Sequence, residues 1–240
     1  MKIIAISDTH GKHNHVSLPD GDLLIHAGDL TNIGREIEVE EVINWFYQQA
    51  NRYTYGIVFI AGNHDRSFDP KFNLNDGKTK KPKWLFNILS NIKSTNHIHY
   101  LENNSVEING VKIWGSPITP WFGGDYWAFN AHRGPDIMKY WEQIPSDVNI
   151  IVTHGPVMYK LDYTIYDKKY VGCEQLRYQI ETIKPLLHIS GHIHEGYGYE
   201  YSTDTHYFNA SICNINYNPI NEPWSIDVDF ENRDINGEFF

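Results

Sequence analysis

The feature that most limits how this chain can fold is a device repeated along it: a short apolar run that stops abruptly in polar, metal-friendly residues. Ile3–Ile6 runs into Ser7-Asp8-Thr9-His10, Leu23–Ile25 into His26-Ala27-Gly28-Asp29, and Ile57–Ile60 into Ala61-Gly62-Asn63-His64-Asp65. Ile150–Val152 runs into Thr153-His154-Gly155-Pro156, and Leu186–Ile189 into Ser190-Gly191-His192-Ile193-His194. Continuous apolar runs of this length suit strands buried on both faces.

Between the second and third runs, Val39, Val42, Ile43, Phe46 and Ala50 recur at helical spacing, which predicts a helix over 36–52. Further helices are predicted over 83–93, 134–143 and 173–183, the last closed by Lys184-Pro185. Ile98 to Trp114 reads as a hairpin, with Asn103-Asn104 and Asn109-Gly110 as turn signals. Tyr207–Ala210 and Ser225–Phe230 are strand-like, and 66–82, rich in Lys, Asp, Asn and Pro, reads as a surface loop. Alternation of strands and helices predicts an α/β fold of layers built on mixed sheets. No linker divides the chain, so one domain over 1–240 is expected, a length that supports one large core.

Hydrophobic and charged contents of 41% and 21% are those of a soluble globular protein. The formal charge of −10 argues against general affinity for nucleic acid or anionic membranes. A small phosphate ester remains compatible, because bound cations reverse the local field. Cys173 and Cys213 make no disulfide framework, the first residues lack a secretory pattern, and no run approaches the roughly 20 apolar residues of a membrane span. A cytoplasmic location is expected, with the oligomeric state left open and a dimer compatible.

In open α/β sheets the ligand site lies at the carboxyl ends of the strands, where Asp8-x-His10, Gly28-Asp29, Gly62-Asn63-His64, His154 and Gly191-His192-x-His194 would all fall. A pair of cations about 3.5–4 Å apart needs a bridging carboxylate, for which Asp29 is the natural candidate. Mixed imidazole and carboxylate ligands suit Mn, Fe, Zn or Ni, whereas an all-oxygen shell would favour Mg or Ca. The amide oxygen of Asn63 adds a neutral ligand, and the neighbouring glycines permit close backbone approach.

This ordered series resembles that of the calcineurin-like metallophosphoesterase superfamily from Ile3 to His194. The resemblance implies a four-layer α/β/β/α sandwich of two mixed β-sheets. It implies a first metal held by Asp8, His10, Asp29 and His194, and a second held by Asp29, Asn63, His154 and His192. Two divalent ions are implied, Mn foremost, with Fe, Zn, Ni or Mg compatible. His64 matches a non-ligand histidine that donates to the phosphate or protonates the leaving oxygen, and a hydroxide bridging the metals would attack phosphorus. Protein phosphatases of the superfamily carry an acid three residues beyond the bridging Asp to orient this histidine; here that position is Asn32, so His64 needs another partner or works unassisted.

A narrower likeness rests on Trp114-Gly115-Ser116-Pro117, Ala128-Phe129-Asn130, Arg133-Gly134, Thr153–Pro156, Gly191–Gly198 and Asn209-Ala210-Ser211. These resemble the brain-type metallophosphoesterase-domain family, grouped with the class III cyclic-nucleotide phosphodiesterases. Some members carry glycine at the position of His192, which this chain keeps. The resemblance implies a phosphodiesterase acting on cyclic nucleotides or similar small diesters.

Other residues weigh less. His26 reads as structural although close to Asp29, His13 and His15 as solvated, and His97, His99, His132, His188 and His206 as structural. The loop Trp121–Trp127 could form a wall for a nucleobase, or more simply pack on the sandwich. Lys78, Lys80, Lys81 and Lys83 read as a solvated basic cluster. The alternatives are a Ser/Thr protein phosphatase, against which the double histidine motif speaks, a phosphomonoesterase of the same superfamily, and a nuclease, which would carry a capping domain. A metal-free scaffold of the same fold is the non-enzymatic alternative, and such proteins lose ligands that this chain retains.

Overall fold

The computed structural model describes residues 1–72, 81–95 and 97–236. Two six-stranded mixed sheets form its centre. In the first, β1 (Lys2–Ile6), β2 (Leu23–His26), β3 (Ile57–Phe59) and β4 (Ile98–Tyr100) run parallel, and β15 (Trp224–Asp229) and β16 (Asp234–Asn236) extend the β1 edge antiparallel. In the second, β6 (Val111–Ser116), β9 (Ile150–Thr153), β12 (Leu187–Ser190) and β14 (Thr205–Asn209) run parallel, flanked by antiparallel β5 (Asn104–Ile108) and β13 (Gly198–Ser202). Two short pairs stand apart from these sheets, β7 (Thr119–Pro120) with β8 (Asn130–Ala131) and β10 (Tyr163–Thr164) with β11 (Lys169–Tyr170).

Alternation along β1 explains why an uninterrupted apolar run is needed. Ile3 and Ala5 join Leu23, Ile25, Val58, Ile113, Ile150, Val152, Leu187, Ile189 and Phe208 in the layer between the sheets. Ile4 and Ile6 face the other way, with Leu24, Ile57 and Phe59, toward the helical residues Val39, Val42, Ile43, Phe46 and Leu85. Those residues belong to α1 (Glu36–Ala50) and α2 (Lys83–Thr95), which contact each other and β4. On the far side, α3 (Pro135–Trp141) and α4 (Glu174–Ile183) pack together and bury Ile137, Trp141, Leu176 and Ile180. The outcome is the expected four-layer sandwich.

Local chemistry sets the helix ends. The Arg35 amide at the start of α1 donates to Glu38 Oε2 at 2.9 Å, α3 opens on Pro135, and Cys173 Sγ caps α4 by accepting from the Leu176 amide. Lys184 then turns left-handed at φ 56° and Pro185 prevents continuation.

Three expectations need correction. Ile98–Tyr100 is not part of the hairpin: it pairs parallel with β3 in the first sheet, and the hairpin is β5–β6, turning at Asn109-Gly110 in the second. The aromatic side of Tyr100 packs on Phe59 and Phe68, which anchors that strand to the first sheet. Residues 66–72 are not a solvated loop, because Phe68 and Asp69 are buried and Asp69 Oδ2 accepts from the Phe129 amide at 2.8 Å. Within the basic cluster, Lys81 pairs with Glu102 and lies over the Tyr100 ring, Lys83 opens α2, and Lys78 and Lys80 lie outside the described residues. No described helix is long and apolar enough to cross a membrane.

Candidate metal centre

The carboxyl ends of the parallel strands from both sheets meet on one rim. The chain leaves β1 into Asp8, β2 into Asp29, β3 into Asn63, β9 into His154 and β12 into His192, while His194 opens a short 3-10 turn, His194–Gly196. Backbone bonds lock the rim: within the first sheet's loops the Asp8 amide donates to Gly28 O at 2.9 Å, within the second's the Gly191 amide donates to His154 O at 2.9 Å, and between the two the Ile212 amide donates to Ser7 O at 2.8 Å. Asp8, His10, Asp29 and His192 all adopt left-handed φ values between 44° and 68°. Such conformations cost non-glycine residues about 1–3 kcal/mol each and concentrate where geometry is imposed for function.

Seven side chains singled out from the sequence come together here. Ligand-capable atoms of Asp8, His10 and His194 lie within 4.8 Å of one another, as do those of Asp29, His154 and His192. Asp29 joins the two halves through one oxygen: its Oδ2 is 3.8 Å from His10 Nε2 and 3.3 Å from His154 Nε2. Asn63 Oδ1 lies 2.9 Å from His154 Nε2. His64 forms a third group with His10 and Asp29.

The donor set fits cations. His154 Nδ1 donates to Ala27 O and His194 Nδ1 to Asn214 O, each at 2.9 Å, so these bonds assign the tautomer and leave each Nε2 lone pair facing the centre. His154 Nε2 therefore meets a carboxylate oxygen and an amide oxygen, while His10 Nε2 meets His194 Nε2 at 3.2 Å. Lone pairs aimed at lone pairs in a buried place require a shared proton or a cation.

Electrostatics point the same way. Burial lowers His10 to about 4 and His192 to about 3, keeping both neutral ligands. Burial would also lower His154, but Asp29 and Asp8 outweigh it and raise this group to about 9. Burial raises Asp8 and Asp29, yet the surrounding histidines win and hold both carboxylates below their usual range.

A ring of supporting bonds orients the carboxylates. Asp8 accepts from the His192 amide at 3.0 Å and from Ser211 Oγ at 2.8 Å, and Asp29 Oδ1 accepts from the His64 amide at 2.8 Å. Asp65 is the hub of the first sheet's loops: it accepts from the amides of Leu30, Thr31 and Gly62 and from Thr31 Oγ1. No sequence motif marks the role of Asp65, next to His64, or of Ser211, which is more than 200 residues from its partner Asp8. Gly62 has no room for a side chain, because a Cβ would collide with Asp29 Oδ1 and come within 2.7 Å of His154 Cε1.

His64 is held by an unforeseen partner, the backbone carbonyl oxygen of Asn32, 2.6 Å from its Nδ1. Its ring lies against Trp127, with centroids 4.6 Å apart, and His10 lies at the same distance on another side. Phe122 covers His192 at 4.7 Å and stacks near-parallel on Trp127, so the Trp121–Trp127 loop lines the centre rather than packing elsewhere on the sandwich. Tyr217, which no sequence motif marks, packs on both His10 and His194.

The remaining histidines divide as follows. His26 Nε2 bonds Thr9 Oγ1 at 3.0 Å, and His188 Nε2 bonds Thr153 Oγ1 at 2.8 Å, so each buttresses a residue beside a ligand candidate. His13 is buried against Trp45, not solvated as expected, because the 3-10 turn His13–His15 folds it onto α1; His15 is exposed. His97 bonds Ala50 O, His132 stacks on Trp121 and His206 bonds Tyr199, all outside the centre.

Comparison with known proteins agrees with this geometry. The sequence profile described as Calcineurin-like phosphoesterase matches residues 1–196. The chain is 38% identical over 237 residues to Metallophosphoesterase domain-containing protein 1 of Homo sapiens, covering 95% of this chain and 71% of that one. It is 36% identical over 220 residues to a UPF0046 protein of Caenorhabditis elegans, covering 89% of this chain and 70% of that one. Among solved structures, the phosphopantetheinyl hydrolase of Mycobacterium tuberculosis superposes with a TM-score of 0.54 over 88% of both chains at 15% identity, a likeness of fold. A family match over most of the chain, on a rim where the family's ligand types converge, makes this protein a member of the calcineurin-like phosphoesterase family.

Proposed function

We infer that the protein is a dinuclear metal-dependent phosphodiesterase acting on small diesters, cyclic nucleotides among them. The observation that carries this reading is Asp29 Oδ2, one carboxylate oxygen facing His10 on one side and His154 on the other. On this reading Asp8, His10, Asp29 and His194 hold one divalent ion, and Asp29, Asn63, His154 and His192 hold the other. Mn is the first choice for imidazole and carboxylate together, with Fe, Zn, Ni or Mg compatible. Two bound cations supply Lewis-acid polarisation of phosphoryl oxygens and lower the pKa of a water.

The protein's own groups do the rest. His64, its Nδ1 donating to Asn32 O, leaves Nε2 as the nitrogen for the substrate, and in the protonated imidazolium Nε2 can donate to a phosphoryl or leaving oxygen. Trp127, Phe122 and Tyr217 cover the histidines and exclude water from around them.

The cavity over the ligands has a volume of 200 Å³ and is lined by Glu195 but by no Lys or Arg among the described residues. A monoester dianion brings one more charge than a diester monoanion and gains most from an extra side-chain cation. This lining supports the diester reading over a phosphomonoesterase or protein phosphatase. A cytoplasmic setting belongs to the same proposal and accords with Cys173 and Cys213, both buried and unpaired.

Metal analysis of purified protein, paired with rates on bis-p-nitrophenyl phosphate, p-nitrophenyl phosphate and the 2′,3′- and 3′,5′-cyclic nucleotides, tests the proposal. Two equivalents of metal and faster diester cleavage are expected. Faster monoester cleavage would move the assignment to a phosphomonoesterase, and a metal-free, inert protein would make it a scaffold.

A further inference from the structure

The cavity over the ligand candidates is small, but it does not end there. His192 and Phe122 line both it and a neighbouring groove of 560 Å³, so the two spaces meet at the Phe122 ring. At 200 Å³ the first has room for a phosphoryl group and little else, whereas the second lies within the roughly 300–1,000 Å³ of small-molecule sites. A third cavity, of 410 Å³, lies beyond Trp121 and includes none of the ligand candidates.

The groove's chemistry is specific. Trp121, Phe122 and Tyr170 give it three aromatic walls, with Pro156 and Met158 in its lining. Its two cations are already matched: Arg133 pairs with Glu174, and Lys169 with Asp167 at 3.4 Å. The groove therefore has no spare positive charge for a second phosphate. Arg133 also donates to Gly172 O at 2.7 Å and to Val171 O at 2.6 Å, clamping the segment that carries the groove's wall. Gly172 lies so close to Val157 O that a Cβ would collide with it, which keeps this wall near the sandwich. Tyr170 is braced edge-on by Tyr159 and Tyr163.

We propose that this groove is the subsite for one ester group of the substrate, and that it takes a flat, uncharged ring system of nucleoside size, stacked between Tyr170 and the Trp121–Phe122 wall. The proposal rests on the phosphodiesterase reading for its reaction and adds where specificity resides. The diester then spans from the phosphoryl cavity across Phe122, and the ring contributes to binding rather than to the chemical step.

Two probes with the same leaving group isolate the effect: the p-nitrophenyl ester of thymidine 5′-phosphate, and ethyl p-nitrophenyl phosphate. With Mn-loaded protein the thymidine ester should have the higher kcat/KM, by at least about fivefold, the low end for stacking of one base on aromatic side chains. Thr164→Trp, which fills the groove, and Tyr170→Ala, which removes a wall, should each raise KM for the thymidine ester severalfold. Both should leave the ethyl ester within about twofold of wild type, since neither residue lines the phosphoryl cavity. Equal rates on the two esters, or equal losses in the variants, would overturn the subsite. Should neither ester be cleaved, the phosphodiesterase reading fails by itself. Calorimetric binding of thymidine 5′-phosphate then decides the groove: binding weakened by Thr164→Trp upholds it, and binding unaffected or absent overturns it.

Discussion

His64 Nδ1 lies 2.6 Å from the backbone carbonyl oxygen of Asn32, so a main-chain atom orients the histidine that the sequence left without an acidic partner. Asn32 follows Asp29 by three residues, so the bond ties the orientation of His64 to the loop that carries the bridging candidate. Because a carbonyl only accepts, Nδ1 donates and Nε2 is presented to the cavity.

The first prediction follows from that bond. His64→Ala should lower kcat by about 10²–10⁴ while leaving metal content intact, the range for loss of proton-transfer assistance. Asn32→Ala keeps the carbonyl and should hold kcat within about threefold. Steady-state kinetics with metal analysis of both variants checks this, and a large loss in Asn32→Ala would show that its side chain matters.

Asp29 stands between the two halves of the centre, so Asp29→Ala should remove metal along with activity. Gly62→Ala should weaken metal binding without touching a ligand, because its Cβ would displace Asp29 and the His154 ring. Isothermal titration with Mn separates the two: little binding in the first, and weakened binding at both sites in the second. Wild-type affinity in Gly62→Ala would be inconsistent with the packing described.

Metal binding should depend on pH through His154. In the metal-free chain its raised value of about 9, against an ordinary 6.5, means that the folded state holds this proton more tightly than the unfolded state. That contribution to stability is complete below pH 6.5 and is lost as pH rises through 9. Metal must displace the same proton, so its affinity rises over the same interval. The gain in Tm on adding Mn should therefore be larger at pH 9 than at pH 6.5, and an equal gain would show His154 already neutral.

Asp65 carries four hydrogen bonds that join the Asp29 loop to the Asn63 loop. Asp65→Ala leaves buried amides of Leu30, Thr31 and Gly62 unpaired, at a cost of about 3 kcal/mol or more. For a chain of this size that lowers Tm by about 6–12 °C. The spacing of Asp29 and Asn63 should loosen with it, so Mn affinity, measured by isothermal titration, should fall alongside the Tm of the metal-free protein.

Much of this architecture was legible in the residues because it is written locally. Apolar runs such as Ile3–Ile6 must be covered on both faces, and the helical spacing of Val39, Val42, Ile43 and Phe46 makes one face apolar, whatever the rest of the chain does. The order of Asp8, Asp29, Asn63, His154 and His192 at strand ends follows, since parallel strands bring their carboxyl ends to one side. Tertiary structure decided what depends on closing long loops and on main-chain atoms, neither of which side-chain identity records. Ile98–Tyr100 joined the first sheet because Tyr100 finds Phe59 and Phe68 there, and His13 was buried because its turn meets Trp45. The Asn32 carbonyl reached His64, and Ser211 reached Asp8 from the far end of the chain. The five strand-end motifs were set by sequence, and the shared oxygen of Asp29 between His10 and His154 exists only because two sheets present their rims to each other.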